Sequence, residues 1–421
     1  MPDQAKTKNL EIERLRGVAV IMTAIAHGSF SDLLPPYLTQ TFTGVDIFFV
    51  ISGFVVTLSL LRLLPDLKED SSFEEKLEKS KQALSIFYLK RAFRILPMAI
   101  FWMFSYWCLS MLFKNTIASD FSKPEYIFME AIGILSGFYN YMVSYGLSGN
   151  LSQYWSLCVE EQFYITLPIL FLIATNLKNR KKMLLRILLF LTLVVPAGSY
   201  LLKSTVLKYV FAERYFAIVF GVLLALFTLK ATKAEKPDTK PNYFEFSLIN
   251  KLSRVINNPK IIRWIVTILE GTSKFLVSLT LLAVIWITPS LTQDNYRYYL
   301  NYIVVAVFAT VLVFLASKEK GWVLNMKGLR RVLEYVGARS YVIYLSHFLF
   351  IRLRAALFYI YNPLVAKFYD NFLPYPATVH LFFQHSFAWV MIIIAAELCY
   401  RFMEKPMIDL GAKYIKYTYK V

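Results

Sequence analysis

Long apolar runs, each close to the roughly 20 residues an α-helix needs to cross a bilayer, recur along almost the whole chain. They fall at 15–34, 44–64, 94–113, 153–176, 184–203, 210–229, 264–288, 299–316, 334–353 and 383–403. This predicts an all-α polytopic membrane protein, a bundle of about ten transmembrane helices. One further run, 126–145, is interrupted by Glu130, Gly133, Gly137 and Asn140. Loop charge arbitrates its status, because short cytoplasmic loops carry an excess of Lys and Arg. If 126–145 does not cross, the basic sets Lys90/Arg91/Arg94, Lys178 to Lys182, Lys230 to Arg263, Lys318 to Arg331 and Lys405 to Lys420 all share one side with the N-terminus. The run is therefore read as re-entrant or packed on the outer face, with N- and C-termini cytoplasmic.

The expected organisation is a cytoplasmic tail at 1–13, a transmembrane domain at 14–410 and a second cytoplasmic tail at 411–421. Two cytoplasmic loops, 65–93 and 230–263, interrupt the domain. The first opens over 65–83 with acids followed at helical spacing by lysines, the pattern of a solvated surface helix. The second is Lys-rich and carries Pro237, Pro241 and Pro259, so it reads as a linker with a short amphipathic helix on the inner leaflet.

Of 421 residues, 57% are hydrophobic and 18% charged, with a mean hydropathy of +0.49, which places the chain in a lipid bilayer. The expected location is the cell inner (cytoplasmic) membrane. The net charge of +18 sits in the short loops, so topology accounts for it and no nucleic-acid partner is implied. Cys108, Cys158 and Cys399 lie in apolar segments without the spacing of a disulfide framework or zinc site, and no metal is expected. Asp3, Glu11 and Glu13 spoil the basic region of a cleavable signal, so the first helix is expected to remain as an anchor.

Ionisable side chains inside the apolar runs change the picture, since each is costly there and marks a functional site by default. Arg16 and His27 are eleven positions apart, three helical turns, which predicts one shared face and a rise of roughly 16 Å. His27 is then about halfway across. Asp46, in GVDIFF at the start of the next run, is expected near the outer end of the same hairpin, where a carboxylate orients an imidazole and stabilises its protonated form. In RAFRILP, Arg91 and Arg94 share a helical face, either as snorkelling topology arginines or as a phosphate clamp. WSLCVEEQFY opens a run at Trp155; Ser156 is a candidate cap, and of the adjacent Glu160 and Glu161 only one looks easily into the bundle. GARSYVIYLSHFLF sets His347 at mid-membrane depth, where it and His27 are able to meet.

Taken together and in this order, these stretches resemble the acyltransferase-3 family of integral membrane O-acyltransferases. The arginine-to-histidine pattern falls on Arg16 and His27; GVDIFFVISGF, RAFRILP, WSLCVEEQFY, GARSYVIYLSH and the closing YRFMEKP are similar to the family's further motifs, over roughly 10–410. The resemblance implies transfer of an acyl group, most often acetyl from cytoplasmic acetyl-CoA as donor substrate, to a hydroxyl of a glycan or glycolipid acceptor such as lipopolysaccharide or another cell-envelope polysaccharide. On that reading Arg91 and Arg94, with Arg14 or Arg16, hold the CoA phosphates. His27 acts as general base or as acyl-carrying nucleophile, Asp46 orients it, and Glu160 binds the acceptor or tunes the histidine from the outer side. Many members add an extracytoplasmic SGNH-type domain; this chain, ending at Val421, is expected to be a stand-alone core. The competing class is a transporter or flippase for a glycolipid or small molecule, which predicts inverted repeats with paired broken helices. No internal repeat is present in the sequence, and no signal in it bears on oligomeric state.

Overall fold

A computed structural model describes residues 9–29, 42–114, 121, 123–147, 149–202, 214–234, 253, 258–291, 295–372 and 377–420. Among them there is no strand. The elements are α1 (Leu10–Ala24), α2 (Gly44–Leu63), α3 (Phe73–Phe113), α4 (Pro124–Leu135), α5 (Tyr139–Ser144), α6 (Trp155–Ile173), α7 (Leu177–Leu189) and α8 (Val195–Leu202). They continue as α9 (Tyr215–Ala234), α10 (Pro259–Ile287), α11 (Asn295–Ser317), α12 (Leu329–Ala338), α13 (Ser340–Phe372), α14 (Ala377–Cys399) and α15 (Lys405–Tyr419).

Six stretches of the described residues are long and apolar enough to cross a membrane: Gly44–Leu63, Phe73–Phe113, Ser152–Ile173, Pro259–Ser290, Leu300–Ser317 and Gln384–Tyr419. Of the four other expected spans, three are shorter among the described residues, and 334–353 is divided between α12 and α13. The first is cut by a π-turn at Ile25–Ser29, 184–203 is entered through the basic turns of α7, and the apolar stretch of α9 covers only Tyr215–Leu229. The interrupted run 126–145 divides into α4 and α5 at Gly137 (φ +73), and neither piece is long enough to span.

Three boundaries differ from expectation. Residues 9–13 are not a solvated tail: Asn9 caps α1 by accepting from Ile12 N at 3.0 Å, and Glu11 and Glu13 are buried. Glu11 accepts from the backbone N–H groups of Gly321 (2.6 Å) and Val323 (2.9 Å), which satisfies a carboxylate inside the protein. The surface helix expected over 65–83 is continuous with the next span: α3 starts at the Ser72 cap and runs through Pro97 without ending. No helix breaker lies between Ser72 and Pro97, and proline is tolerated in membrane helices because neighbours re-satisfy the freed carbonyl. The expected C-terminal tail is helical as far as Tyr419. The linker with its amphipathic helix, expected over 231–263, lies largely outside the described residues.

α2 is the hub of the bundle. Burial covers 72% of its apolar window, against 17% for α10, which therefore presents most of its surface outward. Between helices in lipid, close packing rather than water exclusion supplies the attraction, and small residues permit it. A side-chain carbon at Gly53 would strike Ile218 O of α9, and one at Gly221 would strike Val50 O of α2. Gly17 of α1 and Gly337 of α12 are matched in the same way, against Leu333 O and Glu13 O. These two close approaches fix α1 and α2 against the rest of the bundle, and with them the residues described next.

Candidate active site

His27 sits where α1 stops being regular. Its own backbone (φ −87, ψ 19) and that of Gly28 (φ +99) are non-helical, the latter in the left-handed region that favours glycine. The bend re-aims the imidazole, so the shared face expected for Arg16 and His27 from helical periodicity does not hold to the end of the helix. The ring lies among Phe348 (4.5 Å between centroids), Phe42 (4.9 Å) and His347 (5.1 Å). His347, on α13 and fully buried, meets it directly, His347 Nε2 to His27 Nδ1 at 3.3 Å.

The partners assign the protons. His347 Nδ1 is 2.6 Å from Tyr344 O, a carbonyl that only accepts, so His347 carries its proton on Nδ1 and offers a lone pair at Nε2. His27 Nδ1 is 2.8 Å from Thr23 O, again an acceptor, so it too is the donor, shared between Thr23 O and His347 Nε2. His27 Nε2 is left with its lone pair, the state a general base requires.

Asp46 is not the partner of that ring. Fully buried in the first turn of α2, it binds Arg214 Nη1 through Oδ2 at 3.2 Å. Arg214 also donates to Phe42 O at 2.8 Å and lies over the rings of Tyr302 (4.2 Å) and Trp155 (5.6 Å). Among the described residues Asp46 and His27 are linked through Arg214, which donates to Phe42 O, and the Phe42 ring beside the imidazole. Sequence reasoning passed over Arg214; an arginine opening an apolar run away from the basic loops was the available signal.

The remaining candidates gather toward the other end of α1. A cavity of about 490 Å³ is lined by Arg16, Arg62, Arg91 and Arg94 together with Glu13 and Glu160. Arg16 is 3.8 Å from Glu13, yet its Nε is buried and meets no hydrogen-bond acceptor among the described residues, and the same is true of Arg91 Nε. The Arg91 guanidinium lies over Tyr164 at 5.4 Å; Tyr164 donates to Glu160 at 2.9 Å and its oxygen lies 3.2 Å from Ser52 Oγ. Glu160 therefore belongs to the arginine cavity, not to the outer side of the histidines where it was expected. Arg14 is used elsewhere, on Glu334 and Val323 O at 2.8 Å each, so it lies outside the cation set.

A second chamber of about 80 Å³ adjoins the cavity, sharing Arg16, Phe48, Leu157, Glu160 and Tyr341 with it and extending to Tyr344. Ser156 belongs to this wall and is not the cap of α6: its hydroxyl is 2.6 Å from Tyr344 Oη, which donates to Gln153 O at 2.9 Å. Trp155 packs edge-on against Phe49 at 5.9 Å. The ring of Tyr344, which lines the chamber, lies 5.8 Å from that of His347.

The described residues thus place an arginine-rich cavity and a buried histidine pair in one helical membrane bundle. The chain belongs to the acyltransferase domain family, whose model matches residues 9–396. It is similar to the peptidoglycan O-acetyltransferase OatA of Listeria monocytogenes, at 26% identity over 94% of this chain and 55% of that protein. It is also 24% identical, over 94% of this chain and 54% of the relative, to YrhL of Bacillus subtilis, named provisionally as a peptidoglycan O-acetyltransferase. A Staphylococcus aureus protein named provisionally as an O-acetyltransferase is 25% identical over 96% of this chain and 58% of its own length. The chain thus spans little more than half the length of these curated relatives. No solved structure matches it.

Proposed function

We propose that this protein is a membrane O-acyltransferase that moves an acetyl group from cytoplasmic acetyl-CoA to a hydroxyl of a cell-envelope glycan, the class of acceptor named for its relatives. One observation carries the reading: a cavity lined by four arginines, two of them holding a buried Nε without an acceptor among the described residues, shares a wall with a small chamber lined by Tyr344, whose ring lies 5.8 Å from that of His347. Guanidinium forks match phosphate oxygens, and a donor bearing several phosphates supplies the acceptors those groups lack. The reading includes a bundle of about ten spans in the inner membrane with cytoplasmic termini, so that the arginine end faces the compartment holding acetyl-CoA. His27 Nε2 takes the proton from the acceptor hydroxyl as its oxygen forms the ester bond. The carbon–sulfur bond of the thioester breaks, and the departing thiolate takes up that proton.

The test is mass spectrometry of envelope glycans from cells carrying the intact protein, the His27→Ala form, or neither. Loss of acetyl from one glycan in both defective strains, with the variant present in the membrane, is the expected result. A His27→Ala strain with full acetylation removes the histidine from the chemistry. No change in any glycan without the protein removes the acceptor class.

A further inference from the structure

The chamber between the arginine cavity and Tyr344 has walls of a definite kind. Val45, Phe48, Phe49 and Leu345 make its apolar sides, Arg16 and Glu160 line it where it shares a wall with the arginine cavity, and the Ser156 and Tyr344 hydroxyls, 2.6 Å apart, make a second polar patch. Val45, Phe49 and Leu345 are buried; the first two lie on α2, which its glycine contacts fix, and Leu345 lies on α13. The α2 side of the wall is therefore set by backbone packing. A pocket so built discriminates by volume, and each methylene it cannot accommodate costs roughly tenfold or more.

We propose that this chamber is the acyl pocket and that Val45, Phe48, Phe49 and Leu345 restrict the donor to short acyl groups. The proposal rests on the donor reading above. A chamber of about 80 Å³, at roughly 10–15 Å³ for each water-sized occupant, takes on the order of five to eight such atoms. Acetyl, with roughly three heavy atoms, and butyryl, with roughly five, fit on that scale. Octanoyl, with roughly nine, does not. The hydroxyl patch suits the thioester carbonyl: Tyr344 already spends its proton on Gln153 O at 2.9 Å, while the Ser156 hydroxyl has a long bond to Gln153 O at 3.4 Å and the phenol oxygen at 2.6 Å to exchange for a better acceptor. The polar group of the acyl chain then sits toward Tyr344 and the histidines, and its tail turns toward Val45 and Phe49.

The full chain in lipid nanodiscs is titrated calorimetrically with free CoA, acetyl-CoA, butyryl-CoA and octanoyl-CoA, each affinity being expressed relative to free CoA for the same variant. Acetyl and butyryl thioesters are expected to bind at least as well as free CoA, and octanoyl-CoA about tenfold or more below acetyl-CoA. Phe48→Ala or Leu345→Ala should bring octanoyl-CoA to within about threefold of acetyl-CoA, and Val45→Phe should drop butyryl-CoA by about tenfold. A wild-type profile flat from acetyl to octanoyl overturns the acyl pocket while leaving the arginine cavity as a CoA site. No binding of CoA or any thioester overturns both. The wild-type profile decides by itself, so a variant that fails to fold leaves the test standing.

Discussion

Arg91 offers the sharpest test of the donor cavity. It is held over Tyr164 at 5.4 Å and Phe87 at 5.8 Å, its Nε is buried, and no acceptor reaches that atom among the described residues. A phosphate placed against it gains a charge-assisted hydrogen bond, worth about 1.5–3 kcal/mol. Arg91→Ala should therefore weaken CoA binding roughly 10- to 150-fold, at about 1.4 kcal/mol per factor of ten. Arg91→Lys keeps the charge but not the fork, so it should recover part of that loss and not all of it. The assay is equilibrium binding of CoA, 3′-dephospho-CoA and phosphate-free pantetheine to the nanodisc-embedded protein. Pantetheine affinity should be unmoved by either substitution, because the arm carries no phosphate. Equal weakening of CoA and pantetheine would mean that the substitution deforms the cavity, and unchanged CoA affinity would return Arg91 to a topological role.

Arg214→Ala leaves Asp46 fully buried without its ion-pair partner, which should cost about 3–5 kcal/mol, read as a fall in the detergent melting temperature; the double change Arg214→Met with Asp46→Leu should restore most of it. Gly337→Ala drives a methyl into Glu13 O across the α1–α12 contact and should cost about 1–3 kcal/mol, whereas Gly198→Ala, which meets nothing within 4 Å among the described residues, should not lower thermal stability. Ser156→Ala should lower stability by no more than about 1 kcal/mol, since Tyr344 keeps its bond to Gln153 O; a larger loss by the same melting measurement would show that the Ser156 hydroxyl holds the α6–α13 contact by more than one ordinary hydrogen bond.

Much of this arrangement was legible in the sequence. Span-length apolar runs gave the helices and their class, and buried ionisable residues gave His27, His347 and the arginines, because lipid makes such residues too costly to keep without use. What periodicity could not supply was the end of each helix. The eleven-residue spacing of Arg16 and His27 assumes a straight α-helix, and the π-turn that opens at Ile25 breaks it before His27 is reached. The helical pattern of 73–83 gave no sign that it would fuse with the span after it, because the change of face from water to lipid leaves the backbone hydrogen bonds untouched. Pairing was the other blind spot: Arg14 and Glu334 lie 320 positions apart, and Asp46 and Arg214 lie 168 apart.

Pairing is also what separates the arginines by role. Arg14 meets a carboxylate and a backbone carbonyl, and Arg214 meets a carboxylate, a carbonyl and aromatic faces, so the desolvation cost of each is offset within the protein. Arg16 and Arg91 are half-buried, yet each presents a buried Nε that no acceptor among the described residues receives, and both line the cavity. A buried donor left open costs about 1–3 kcal/mol, and a fold that could have turned a carbonyl toward it, as it does for Arg14, has not done so. That expense is intelligible if the acceptor arrives with the donor substrate, whose phosphates complete the site each time it loads.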